Sequence, residues 1–154
     1  MNATEYFMYG RNLDLPSFQL GKMYVFSEIV GAGVKELALS PPLIPEDMED
    51  IMEGASEIAD EFNVHLFLEK DILITDLFDK KFTRGKHVLL IYKDPAVKDA
   101  YLTLKAEKQK LVDAGQYERQ ARKEIAREMG RLLSYQEDFI ERILATEPVS
   151  FKKG

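Results

Sequence analysis

Cysteine is absent from the 154 residues of this chain. Without thiols the protein cannot form disulfides, bind zinc through thiolates or use a cysteine nucleophile. A chain without cysteine is compatible with a reducing compartment, and we expect a cytoplasmic location.

Long apolar runs are also missing. No stretch approaches the roughly 20 apolar residues that a transmembrane helix needs. The N-terminal stretch MNATEYFMYGRNLDLPSF lacks the basic segment followed by an apolar segment that marks a signal peptide. We therefore expect a soluble chain with no membrane partner and no signal peptide.

Short motifs with known chemistry are lacking as well. There is no Gly-x-Ser-x-Gly elbow to present a serine nucleophile. His65 and His87 have no metal-ligand spacing such as His-x-x-x-His around them. Gly31-Ala32-Gly33 leads into a predicted strand rather than out of one, which is the wrong context for a phosphate loop. The motifs leave any catalytic residues unknown, favour a non-enzyme, and predict neither a metal nor a cofactor.

The composition is that of a globular protein, with 45% hydrophobic and 31% charged residues. Its length fits one domain, which we place at residues 1–146, followed by a flexible tail at 147–154. The formal net charge of −6 argues against a general nucleic-acid binder. Most of the acidic excess lies in residues 1–94, which contain 9 Lys/Arg and 17 Asp/Glu.

Hydrophobic periodicity predicts helix, strand, helix, three strands and three helices, in that order. The helix at Pro45–Phe62 is the clearest element, because its apolar residues share one arc of roughly 120°. The runs KELALS, VHLFLE, DILITDL and HVLLIY read as strands. Since a helix joins the first two, a parallel pair with a right-handed crossover is favoured.

These elements predict an α/β fold. We expect a small sheet of about four strands, at least partly parallel, covered by helices. A C-terminal helical hairpin and a short final helix should complete the domain.

Several helix ends carry capping signals. Asp14 before Leu15-Pro16 and Asp94 before Pro95 match an N-cap followed by proline in the first turn. Gly115 can close the helix that begins at Pro95. Ser134 with Glu137 three residues on has the form of a capping box, which predicts that Ser134 caps the last helix.

The ends of the predicted strands are candidates for a small-ligand site, because ligands of open α/β sheets bind there. Six polar residues lie near such ends: Ser40, Thr75, Asp76, Tyr92, Lys93 and Asp94. We do not expect the Ser40–Glu46 junction itself to bind phosphate, because prolines and carboxylates occupy the positions that N–H donors would need. Arg84-Gly85-Lys86 is a basic turn that could bind an anion, although exposed turns are commonly basic.

Two predicted helices carry stripes of opposite charge. The acidic stripe on the Pro45–Phe62 helix comprises Glu46, Glu49, Asp50, Glu53 and Glu57. The basic stripe on the helix predicted at Tyr117–Leu133 comprises Arg119, Lys123, Arg127 and Arg131. Its cations repeat about every 6 Å, close to the phosphate spacing of a nucleic-acid strand, although a solvated face is the simpler interpretation.

The stretch EIAREMGRLLSYQEDFIERIL, following HVLLIYKD, resembles a group of uncharacterised prokaryotic proteins, mostly archaeal, classified as a domain of unknown function. The resemblance covers the C-terminal third and centres on residues 130–135. In that group Gly-Tyr-Pro and then cysteines are expected after the Leu-Leu pair, whereas Ser134-Tyr135-Gln136-Glu137 stand here. The resemblance implies a prokaryotic origin and no mechanism.

Three functions stay open at this level. The first is a non-catalytic interaction or regulatory protein that self-associates or binds a protein partner, steered by the two stripes and held by the aromatic N-terminus (Tyr6, Phe7, Tyr9). The second is a small-ligand enzyme or binding protein with its site at the strand ends. The third is nucleic-acid binding through the Arg119–Arg131 face.

Overall fold

The computed structural model describes residues 13–78 and 80–146. Its elements are α1 (Leu15–Gly31), β1 (Leu37–Leu39), α2 (Pro45–Glu61), β2 (His65–Glu69), a 3-10 helix (Lys80–Phe82), β3 (Val88–Tyr92), α3 (Pro95–Asp113), α4 (Arg119–Leu132) and α5 (Glu137–Ala145). The aromatic N-terminus and the predicted tail at 147–154 lie outside these ranges. None of the described helices combines the length and apolar character needed to span a bilayer.

The sheet has three strands in the order β1-β3-β2, and both pairs are antiparallel. Leu37 of β1 and His65 of β2 both lie opposite Tyr92 of β3. The prediction of about four strands, at least partly parallel, is therefore wrong. β1 and β2 point the same way, but β3 lies between them and takes the hydrogen bonds that a parallel pair would have used.

The run DILITDL was predicted as the extra strand, and it is irregular instead. Side chains of α3 bind its backbone: Leu73 N donates to the Tyr101 hydroxyl at 2.9 Å. Lys108 Nζ donates to the carbonyl of Ile74 at 2.6 Å, and Lys105 Nζ donates to that of Asp71. These three backbone groups therefore have partners without a neighbouring strand.

The sheet is covered on both faces by helices. Alternation along β3 sends Leu89 and Ile91 to the core under α1 and α2, and Leu90 to the core under α3, α4 and α5. All five residues of β3 are buried, as a central strand between two helical layers requires. The predicted helical hairpin and short final helix are confirmed as the second of these layers.

Three predicted helix ends are confirmed. Asp14 Oδ2 accepts from Ser17 N at 3.0 Å, and Asp94 Oδ1 accepts from Ala96 N at 2.9 Å. Gly115 follows α3 with φ of +67°, the left-handed conformation that glycine adopts without a Cβ clash.

The predicted cap of the last helix is wrong. α5 begins at Glu137 behind Gln136, which makes no side-chain cap bond. Ser134 instead closes α4 with φ of +60°, and its Oγ accepts from Glu36 N at 2.9 Å. Glu137 does not reach back to Ser134 but accepts from Arg131 Nε at 2.7 Å. Ser134 therefore ties the end of α4 to the segment before β1.

Candidate functional site

The six polar residues expected at strand ends are not brought together. Because β3 runs antiparallel to β1, Ser40 lies beside Leu89 near the start of β3, whereas Tyr92, Lys93 and Asp94 lie at its far end. Ser40 is buried, and its Oγ accepts from Leu89 N at 2.8 Å. A single ligand site at strand ends cannot use both groups.

Other members of this set have structural partners. Thr75 is buried and its Oγ1 accepts from Leu77 N at 3.2 Å. The Asp76 carboxylate accepts from Arg122 Nη2 at 2.5 Å, which joins the irregular segment to α4. Lys93 Nζ donates to the carbonyl of the last residue of α1 at 2.9 Å. These contacts hold elements together.

The basic stripe of α4 is half paired within the chain. Arg127 Nε donates to Glu141 Oε1 at 2.6 Å, and Arg131 Nε donates to Glu137 Oε1 at 2.7 Å. These bonds lower the pKa of Glu141 and of Glu137. The other two cations of the stripe form no ion pair within residues 13–78 and 80–146. Two arginines that bridge α4 to α5 leave fewer charges for a nucleic-acid backbone.

The acidic stripe of α2 is exposed at all five positions. Its carboxylates form no ion pair with any other residue in the described ranges. α2 packs on one face of the sheet and α4 on the other. The two stripes consequently cannot meet within one chain.

An open cavity of about 330 Å³ lies between the irregular segment after β2 and the turn before β3. Lys70, Lys80 and Arg84 line it, together with a single carboxylate from Asp71. Its apolar wall comes from two isoleucines of the irregular segment, one of which is buried. Cationic and apolar surface therefore face the same space.

Among the residues that the structure describes, no ion pair neutralises the positive charge of this cavity. Lys70, Lys80 and Arg84 are exposed, and none of them forms an ion pair within the described ranges. Three cations and one carboxylate give the described lining a net charge of +2. Lys108 stands nearby, and burial lowers its pKa, with the charge of Lys80 lowering it further. Repulsion among these cations favours an anion between them.

A buried polar cluster supports the wall of the cavity. Glu69 at the end of β2 is only 6% exposed, and it accepts from the Tyr101 hydroxyl at 2.8 Å and from Lys105 Nζ at 3.0 Å. Its other oxygen accepts from Asp71 N at 2.9 Å. Burial raises the pKa of Tyr101 well above its usual range, and the neighbouring Glu69 carboxylate raises it further. Tyr101 therefore remains a neutral donor.

The opposite wall is a tight turn. Lys86 N donates to Thr83 O at 3.0 Å, and Gly85 has φ of +72°. A side chain at Gly85 would have open space around it, but any other residue at this position would have a strained backbone conformation. The glycine thus permits the turn that places Arg84 at the cavity.

The sequence indicated part of the lining of this cavity. Arg84-Gly85-Lys86 stood out as a basic turn that could bind an anion, and the structure places two of its residues at the cavity. Nothing local connects that turn with Lys70, which comes 14 positions before Arg84. The available signal was the density of basic residues between Lys70 and Lys86.

Other kinds of site have less support in the described ranges. No group of three or more His, Asp or Glu side chains there is placed to hold a metal ion. Comparison with protein-family models, with curated proteins and with solved structures finds no match to this chain. The resemblance to a prokaryotic group stays a prediction.

Proposed function

We propose that this protein binds a small anionic ligand, without catalysis, in the cavity lined by Lys70, Lys80 and Arg84. The observation that carries the proposal is the convergence on one open cavity of three cations that form no ion pair within the described residues. This is the small-ligand binding function considered from the sequence, at a different place from the strand ends.

The size and lining of the cavity support a small molecule. A volume of about 330 Å³ lies at the lower end of the range for ligand pockets, roughly 300–1,000 Å³. Ile72 and Ile74 give apolar contact, while the cations give orientation and charge recognition. The molecule as a whole carries −6, so the local positive charge is a departure from its average surface.

The wall is held before any ligand arrives. Main-chain groups of Asp71, Leu73 and Ile74 are bound by Glu69 and by side chains of α3. A wall that is already ordered loses less conformational entropy when a ligand binds, and this supports measurable affinity from few contacts.

The test is a titration with inorganic phosphate, followed by the amide signals of residues 70–74 and 83–86. We expect saturable shifts in the wild type and at least about tenfold weaker binding in Lys80→Gln/Arg84→Gln, equal to about 1.4 kcal/mol. Lys110→Gln, at an exposed lysine in the last turn of α3, is the matched control and should bind like the wild type. The proposal fails if these signals do not saturate, or if the control weakens binding as much as the double variant.

A second proposal is self-association, which the positions of the two stripes favour. The acidic stripe of α2 and the cations Arg119 and Lys123 of α4, none of which forms an ion pair within residues 13–78 and 80–146, lie on opposite faces of the sheet. They can therefore meet only between molecules. Because the two stripes lie on opposite faces, one interface can contain the α2 face of one copy and the α4 face of the other but not both faces of each copy. The contact is therefore heterologous and leads to rings or open chains rather than a two-fold dimer. We also propose a cytoplasmic location for this assembly, which the absence of cysteine supports.

A further inference from the structure

Phe82 is an exposed aromatic residue beside the basic cavity. Its exposed fraction is 57%, and no ring or cation lies against it within the described ranges. It stands in the 3-10 helix between Lys80 and Thr83, both of which line the cavity. Consecutive Cα atoms are about 3.8 Å apart, so the Phe82 backbone lies within a few ångströms of the cavity mouth.

We propose that the ligand is a phosphate monoester that carries a planar aromatic ring, as a nucleoside monophosphate does. The phosphate binds between Lys80 and Arg84, and the ring stacks on Phe82. This inference rests on the proposed anion site and adds the chemical identity of the group that the phosphate carries. Sequence proximity supports it, because Phe82 lies within two residues of both Lys80 and Arg84, and one sugar separates phosphate from base in such a ligand.

The charge of the site matches the phosphate. A phosphate monoester carries between one and two negative charges at neutral pH, and the described lining carries +2. The Thr83 hydroxyl donates to Lys80 O at 3.4 Å, a long and weak bond that a phosphate oxygen can replace. The apolar wall formed by Ile72 and Ile74 suits the carbon atoms of the sugar.

Stacking is the natural use of an exposed phenylalanine here. Aromatic side chains beside cationic grooves bind bases through their faces, and this contact changes affinity by about tenfold or more per base. A basic loop with an exposed aromatic residue can also bind an anionic membrane surface. The cavity favours the small ligand, because a flat lipid surface would not use the buried Ile72 wall.

Three probes separate the halves of the ligand: adenosine monophosphate, ribose 5-phosphate and adenosine, each titrated at one salt concentration. We expect adenosine monophosphate to bind at least about tenfold more tightly than ribose 5-phosphate. Adenosine, which lacks the phosphate, should show no saturable binding. Phe82→Ala should remove the advantage of adenosine monophosphate and leave the affinity for ribose 5-phosphate unchanged. Phe82→Tyr keeps an aromatic face and should retain that advantage.

The outcomes distinguish this inference from the function it rests on. Equal affinity for adenosine monophosphate and ribose 5-phosphate, with no effect of Phe82→Ala, would overturn the aromatic ligand and leave the anion site standing. Absence of binding by inorganic phosphate and by both phosphate esters would overturn the anion site itself. Binding to phosphatidylserine vesicles without binding to adenosine monophosphate would also overturn the inference.

Discussion

Ser134 combines an unfavourable backbone with a useful side chain. Its φ of +60° is left-handed, a conformation that costs a non-glycine residue about 1 kcal/mol. Its Oγ accepts from Glu36 N at 2.9 Å, across 98 positions of sequence. The hydrogen bond offsets the strain and explains a serine where helices commonly end in glycine.

The first prediction compares two replacements of Ser134. Ser134→Ala should lower the free energy of unfolding by about 1 kcal/mol, because Glu36 N loses its acceptor while the strain remains. Ser134→Gly loses the same acceptor but relieves the strain, so it should be the less destabilising variant. Urea denaturation measures both. An alanine variant at least as stable as the glycine variant would contradict this explanation.

The second prediction concerns Gly31 at the end of α1. A Cβ at this position would stand 2.7 Å from the carbonyl oxygen of Phe62, which is backbone and cannot swing aside. Gly31→Ala should therefore lower the free energy of unfolding by about 1–3 kcal/mol. Gly21→Ala, in the same helix with nothing within 4 Å, is the control and should raise it by up to about 1 kcal/mol. Equal thermal midpoints for the two variants would show that α1 and α2 do not pack this closely.

At the scale of the elements, α3 connects the sheet to the segment after β2 through its side chains. One of its faces presents Tyr101, Lys105 and Lys108, spaced so that they point the same way. The three side chains bind backbone groups of the segment after β2 that would otherwise be open to a neighbouring strand. The same contacts order one wall of the cavity, so that α3 connects the fold to the proposed site.

The third prediction removes the hydroxyl at the centre of this arrangement. Tyr101→Phe leaves Leu73 N without an acceptor and Glu69 without one donor, so the free energy of unfolding should fall by about 1–3 kcal/mol. Hydrogen exchange of residues 71–75 should speed up. Tyr135→Phe is the control, because its hydroxyl has no hydrogen bond in the described ranges. Similar losses in both variants would contradict the role given to Tyr101.

The same variant has a pH signature. Burial raises the pKa of Tyr101 in the folded state, whereas in the unfolded chain it is about 10. Above pH of about 10 the unfolded state has lost this proton and the folded state keeps it, so stability falls as pH rises. The wild type should lose stability faster than Tyr101→Phe above that pH, as urea midpoints across the alkaline range would show. Parallel curves would mean that Tyr101 titrates normally.

At the scale of the whole molecule, the sheet separates two surfaces of opposite character. The α2 face carries carboxylates that form no ion pair with the described residues, and the α4 face carries arginines of which half are bound to α5. Exposed ion pairs contribute only about 0–1 kcal/mol each, so such faces orient an association more than they drive it.

The fourth prediction tests that association by sedimentation. The wild type should form larger species at about 0.1 M salt than at about 1 M, because the Debye length falls from about 10 Å to about 3 Å. Arg119→Glu/Lys123→Glu should associate less at the lower salt concentration. Lys98→Glu/Lys110→Glu makes the same change of charge on α3 and should have a smaller effect. Monomers under every condition would refute self-association.

Local sequence by itself determined the helices of this protein. Asp14, Asp94 and Gly115 act within a few residues of themselves, so their roles at helix ends were predictable. The apolar arc of the Pro45–Phe62 helix likewise needed only the helical period, and the structure buries Met48 and Ile51 from it.

Only the tertiary structure decided the strands and the site. DILITDL has an apolar pattern that suits a strand, but Tyr101 comes 28 positions after Leu73 and takes its backbone N–H. The cavity likewise depends on a meeting between Lys70 and Arg84 that no local pattern specifies. The reason is physical: a helix satisfies its hydrogen bonds within itself, whereas a strand or a binding site depends on partners that folding brings from elsewhere in the chain.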